Sequence, residues 1–83
     1  MKTFTYTVND EAGIHARPAG MLVNKVKALG CSVKLEHNGK TADASRLFSV
    51  MSLGIKKGDT VTVTVDGNET QAAELMGFFK ENL

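Results

Sequence analysis

From Lys2 to Val8 the chain reads KTFTYTV, with Phe4, Tyr6 and Val8 on one side of an alternating pattern and threonines on the other. A period of two predicts a strand with one buried face. After the turn NDEAG the period changes. Ala19, Leu22, Val23, Val26 and Leu29 recur at helical spacing, and Gly30 stands where a helix C-terminal cap is expected. Alternation returns in CSVKLEH with Cys31, Val33 and Leu35, and Asn38-Gly39 then signals a tight hairpin, because both residues accept positive φ. The short segment KTAD forms the return strand. SRLFSVMSLG is apolar and short, predicting one to two helical turns with Ser45 as the N-cap and Gly54 as the stop. DTVTVTVDG is the clearest strand, with Val61, Val63 and Val65 inward. Asn68 and Gln71 are spaced as a capping pair for a last helix, along which Ala72, Leu75, Met76, Phe79 and Leu83 form an apolar stripe.

The predicted order is β-α-β-β-α-β-α. Because three of the strands are apolar on one face, KTAD being too short and polar to show one, the helices can all cover that face of an antiparallel sheet and leave the threonine-rich face in water. The fold class is therefore α+β, as one domain over residues 1–83. Hydrophobic content of 42% and charged content of 23% are a globular balance. A net charge of +1 gives no electrostatic case for nucleic acid or an anionic membrane as main partner. An RNA-binding domain of similar topology would need exposed aromatics on its strands, where this chain has mostly Thr, Ser, Lys and Glu. Cys31 is the one cysteine, so no internal disulfide and no Cys/His metal set is available; its phase suggests a small core residue. The first residues lack the apolar core of a signal peptide, and no run approaches the ~18–20 apolar residues of a membrane span, so a cytoplasmic protein is expected.

The chemistry concentrates in EAGIHARPAG, Glu11 to Gly20. His15 falls where a turn meets the first helix, and Pro18 suits the first helical turn, whose N–H groups have no partner inside the helix. Arg17, preceding proline, is biased toward extended backbone, which sets the boundary near residues 15 to 18. The amides of Ala16 and Arg17 and the helix dipole favour an anion there and disfavour imidazolium, keeping the ring in its neutral, nucleophilic form. An imidazole nitrogen can take a phosphoryl group as a labile N–P bond, with amides on one side and the Arg17 guanidinium on the other. Gly13, Ala16, Ala19 and Gly20 leave room for a partner to approach. A hydrolase is disfavoured, since no acid stands at triad spacing with a serine. His37, next to the Asn38-Gly39 turn, is expected to be exposed.

GIHARPAG resembles the active-site signature of the HPr family, the histidine-containing phosphocarriers of the bacterial phosphoenolpyruvate-dependent sugar phosphotransferase system. The resemblance extends over the whole chain, including NGK at the hairpin and VMSLGIKKGD after the second helix, and is closest to the Gram-positive type. It implies an open-faced β-sandwich of four antiparallel strands and three helices. It also implies that His15 accepts a phosphoryl group from enzyme I at Nδ1 and passes it to the IIA domains of sugar permeases, assisted by Arg17. A monomeric stoichiometric carrier without metal or cofactor, rather than an enzyme, is what the family leads one to expect. A regulatory paralogue acting in carbon or nitrogen control is the alternative. Arg46 stands where Gram-positive relatives carry a kinase-regulated serine, with Ser45 one place early, which puts that regulation in doubt. Finally, the short second helix has more apolar groups than it can bury. Val50 is expected inward, while Leu47, Phe48 and Met51 join Met21 and Gly20 in a partner-docking patch near His15.

Overall fold

A computed structural model describes every residue of the 83-residue chain except Ala12 and His15. The elements are β1 (Lys2–Thr7), α1 (Ala16–Leu29), β2 (Ser32–His37), β3 (Lys40–Asp43), α2 (Leu47–Met51), β4 (Thr60–Asp66) and α3 (Glu69–Asn82). The four strands form one antiparallel sheet in the order β1-β4-β2-β3. Register follows the alternation. Phe4 and Leu35 flank Val63 on either side, and Val33 lies opposite Val65, so the apolar residues share a face.

That face and the helices enclose the core. Val33, Leu35, Val61, Val63 and Val65 meet Leu22, Val26, Leu75 and Phe79, all buried. Each such side chain contributes roughly 1.5–3 kcal/mol of burial. Phe4 and Tyr6 present ring edges to Phe79 with centroids 5.8 and 5.5 Å away, an arrangement favoured by the ring quadrupole. The opposite face is polar, with Thr5 opposite Thr62 and Thr7 opposite Thr60. In the turn between β2 and β3, Asn38 and Gly39 have φ of 53° and 79°, as a two-residue hairpin of this hand requires.

α3 begins with a closed cap. The Asn68 side chain accepts the Gln71 N–H at 2.8 Å, and the Gln71 side chain accepts the Asn68 N–H at 2.9 Å. Gln71 Nε2 also donates to the Leu29 carbonyl at 2.8 Å, joining the start of α3 to the end of α1. Of the stripe expected on α3, Met76 is only half-buried.

Four expectations need correction. His37 is buried, at 8% exposure, because β2's alternation continues past Val33 and Leu35 onto it. Ser45 does not cap α2. The N-cap is Arg46, with no side-chain cap bond, while the Ser45 hydroxyl and N–H both donate to Asp43 Oδ1, at 2.7 and 2.9 Å. Arg17 is helical despite preceding proline, since α1 starts at Ala16. Cys31 is half-buried at the margin of the core rather than inside it. No helix among the described residues is long and apolar enough to cross a membrane.

Candidate functional site

The segment leading to α1 is held by backbone bonds. The N–H groups of Asn9 and Asp10 donate to the Leu83 carbonyl, at 2.6 and 2.9 Å, and Gly13 donates to the Asp10 carbonyl at 2.9 Å. The Ile14 N–H donates to the Ile55 carbonyl at 3.0 Å. Gly13 has φ +69°, and a Cβ there would run into the Ile55 carbonyl and lie 2.7 Å from Lys56 Cα. Only glycine fits this close approach. Gly13 and Ala19 are both buried, so neither makes room for a partner, as the sequence suggested; that part of the reading is corrected. Gly13's role is to let the segment settle onto residues 55 and 56.

His15 lies outside the described residues. The residues after it form the first turn of α1, where Ala16 and Arg17 are exposed and Pro18 is buried. That turn contains no acidic side chain, so no carboxylate of its own competes for its amides. Arg17 lines an open cleft of about 260 Å³ together with Asp10, Pro18, Met21, Glu81 and Asn82. It makes no ion pair with another described residue. Asp10, Glu81 and Asn82 come to this cleft from the β1–α1 segment and the end of α3, and no local pattern in the sequence could have grouped them with Arg17.

Met21, one turn farther along α1, is exposed at 40%, and Phe48 on α2 at 82%. α1 and α2 pack against each other. Val50 is fully buried, Leu47 and Met51 are half-buried against the core, and Gly20 is half-buried on α1. Met21 is part of the cleft's lining, and Phe48 leaves its ring in water on the helix that packs against α1.

The start of α2 has its own charge arrangement. Asp43 is held below its ordinary value of 3.8, first by the Ser45 hydroxyl and N–H that donate to it, then by the charges of Arg46 and Lys34, with burial opposing. Ser45's hydroxyl is thereby engaged with a carboxylate. Among the described residues no group of three or more His, Cys, Asp and Glu side chains could hold a metal ion.

The family model for the HPr component phosphorylation site of the phosphotransferase system matches residues 2–80. An HPr of Thermoanaerobacter tengcongensis is similar in structure with a TM-score of 0.90 and 26% identity, over 99% of this chain and 94% of that one. A phosphocarrier protein HPr of Bacillus anthracis gives a TM-score of 0.85 and 28% identity over 94% and 95% of the two chains. The Bacillus subtilis catabolite repression protein Crh, described as an intertwined dimer, gives a TM-score of 0.75 and 28% identity over 94% and 92%. A glycine-led segment seated on a neighbouring loop, an arginine without an ion pair among the described residues in a helix turn that has no acidic side chain, and a match across nearly the whole length lead to one conclusion: the chain belongs to the HPr family of phosphotransferase-system phosphocarriers.

Proposed function

We propose that this HPr-family protein accepts a phosphoryl group from enzyme I on His15 and delivers it to the IIA domains of sugar permeases. The observation that carries the reading is Arg17, exposed in the first turn of α1, two residues from His15 in the chain and without an ion-pair partner among the described residues. In the transfer, a bond forms between phosphorus and His15 Nδ1 as the bond from phosphorus to the donor breaks. The phosphoryl group arrives with two negative charges. The Ala16 and Arg17 amides and the guanidinium fork offset them, and charge-assisted bonds of this kind are about twice as strong as neutral ones. The same phosphoryl group then leaves to the next acceptor, so the protein is a stoichiometric carrier rather than an enzyme, acting as a cytoplasmic monomer without cofactor.

Docking falls to the apolar surface next to the cleft. Gly20, Met21, Leu47, Phe48 and Met51 supply it, and methionine's flexibility suits a face that fits several partners. The likeness to Crh favours one alternative, a regulatory paralogue that signals in carbon or nitrogen control. In that reading His15 serves a side branch, and which IIA domain takes its phosphate separates the two.

Incubation with enzyme I and phosphoenolpyruvate tests the proposal. The expected product carries acid-labile, alkali-stable phosphate on His15, and His15→Ala takes up none while keeping its circular dichroism spectrum. Phosphate that stays in His15→Ala, placed on His37 by mass spectrometry, would refute the assignment. Transfer from the labelled protein to a purified IIA domain separates the carrier from the regulatory paralogue.

A further inference from the structure

His37 has no part in the chemistry above, yet it is the one polar or charged side chain among the described residues classed as buried. Its ring contacts two acceptors. Nδ1 lies 3.1 Å from the Leu53 carbonyl, and Nε2 lies 3.2 Å from Asp59 Oδ2. A carbonyl and a carboxylate only accept, so the ring serves both when each nitrogen carries a proton. These partners stand at the two ends of one segment, Leu53 just after α2 and Asp59 just before β4.

Between those ends the segment is cross-tied. Asp59 Oδ2 also accepts the Lys56 N–H at 2.9 Å, and the Asp59 N–H donates to the Lys56 carbonyl at 3.0 Å. Val8 and the segment exchange two backbone bonds, Gly58 N–H to Val8 carbonyl at 2.8 Å and Val8 N–H to Asp59 carbonyl at 3.0 Å. At its middle is Ile55, buried, whose carbonyl accepts the Ile14 N–H. Gly13 packs on the same carbonyl and on Lys56. The next residue after Ile14 in the chain is His15.

We propose that His37 is a positioning residue for His15: its ring ties both ends of the 53–59 segment, and that segment's Ile55 carbonyl sets the Gly13–Ile14 backbone that leads into the phosphoryl acceptor. The proposal rests on the carrier reading for its link to transfer, but the mechanical link from His37 to Ile14 stands apart from it. Any buried imidazole needs hydrogen-bond partners, but here the two stand at opposite ends of one loop, so the ring spans it. Transfer tolerates little misplacement, since a displacement of about 1 Å can cost on the order of a hundredfold in rate.

The test compares His37→Leu, Asp59→Leu and Asp59→Asn with the parent protein by two independent readouts. Amide hydrogen exchange by NMR follows Ile14 without any reaction, and enzyme I-driven phosphorylation gives kcat and KM. His37→Leu should speed Ile14 exchange and lower kcat by about tenfold, leaving KM within about twofold, because the docking patch is untouched. Asp59→Leu frees one end of the segment by changing a half-exposed side chain, so it serves where His37→Leu does not fold, and it should move both readouts the same way. Asp59→Asn keeps an oxygen that accepts both N–H groups and should restore parent behaviour. Unchanged Ile14 exchange in a folded His37→Leu or Asp59→Leu protein would overturn the proposal, as would a loss confined to KM. Failure of the parent protein to accept phosphate would refute the carrier reading instead, and the exchange result would still judge the link to Ile14.

Discussion

α2 and α3 begin alike in the sequence and differ in the structure. Each follows a polar residue suited to capping, Ser45 in one case and Asn68 in the other. Asn68 closes a reciprocal cap with Gln71, and α3 goes on for 14 residues with Ala72, Leu75 and Phe79 buried. Ser45 turns instead to Asp43, Arg46 becomes the N-cap without a side-chain bond, and α2 lasts 5 residues with only Val50 buried. A cap is decided by position. A capping side chain must stand at the N-cap and accept the free helix N–H groups, whereas Ser45 stands one residue before the N-cap and its hydroxyl and N–H both donate back to Asp43. α3 is thus held by its end and its face together, while α2 has one fully buried valine with Leu47 and Met51 half-buried beside it, and leaves Phe48 outside. The weaker helix is the one that leaves its aromatic side chain in water.

The largest effect that would break this contrast is in the two phenylalanines. Phe79→Ala removes a fully buried ring that Phe4 and Tyr6 pack against and should destabilise the protein by about 3–5 kcal/mol in urea unfolding. Phe48→Ala should change stability by no more than about 0.5 kcal/mol but raise KM for phosphorylated enzyme I. Equal destabilisation by both would show that α2 is held as α3 is.

The caps give a smaller effect. Asn68→Ala should cost about 1 kcal/mol, whereas Arg46→Ser, which puts a capping hydroxyl at the open end of α2, should add roughly 0.5–1 kcal/mol. That variant also tests regulation. The family's serine kinase with ATP should leave the parent unmodified, because the Ser45 hydroxyl is engaged with Asp43, and should modify Arg46→Ser at the new residue. Mass spectrometry locating phosphate on Ser45 of the parent would contradict this.

The smallest effect is a pH dependence at the start of α2. Asp43's carboxyl titrates below its ordinary 3.8 in the folded protein, so its contribution is complete above that value and is lost as pH falls through the lower folded one. Asp43→Asn should melt below the parent at neutral pH, and the gap should close in acid. A gap of constant size from neutral to strongly acidic pH would mean that the Asp43 charge has no part in holding Ser45.

Periodicity made the elements and their order legible, because strand and helix leave different spacings of the same apolar residues. Asn38-Gly39 marked the hairpin for a reason of backbone conformation. His37 shows what residue type can hide. The period of two that placed Val33 and Leu35 inward also places His37 inward, but an imidazole beside a turn reads as solvated unless its partners are known, and those come from Leu53 and Asp59. Arg17 shows the reverse error of detail: the local bias of a residue before proline gave way to a helix already begun at Ala16. At the site, Arg17's place in the first turn of α1 was readable from the sequence around it. The cleft around Arg17 was not, since Asp10 and Glu81 meet it only after α1 and α3 have packed.

The order β1-β4-β2-β3 also bears on how the molecule is made. β1 precedes the other strands in the chain, yet its partner in the sheet is β4, which follows after two helices and two strands. Pairing across so long a stretch must meet the entropy of closing that loop before any contact rewards it, which slows folding relative to helical bundles of this size. In the folded sheet the apolar face of KTFTYTV is covered only once β4 and α3, which supplies Phe79, have joined it.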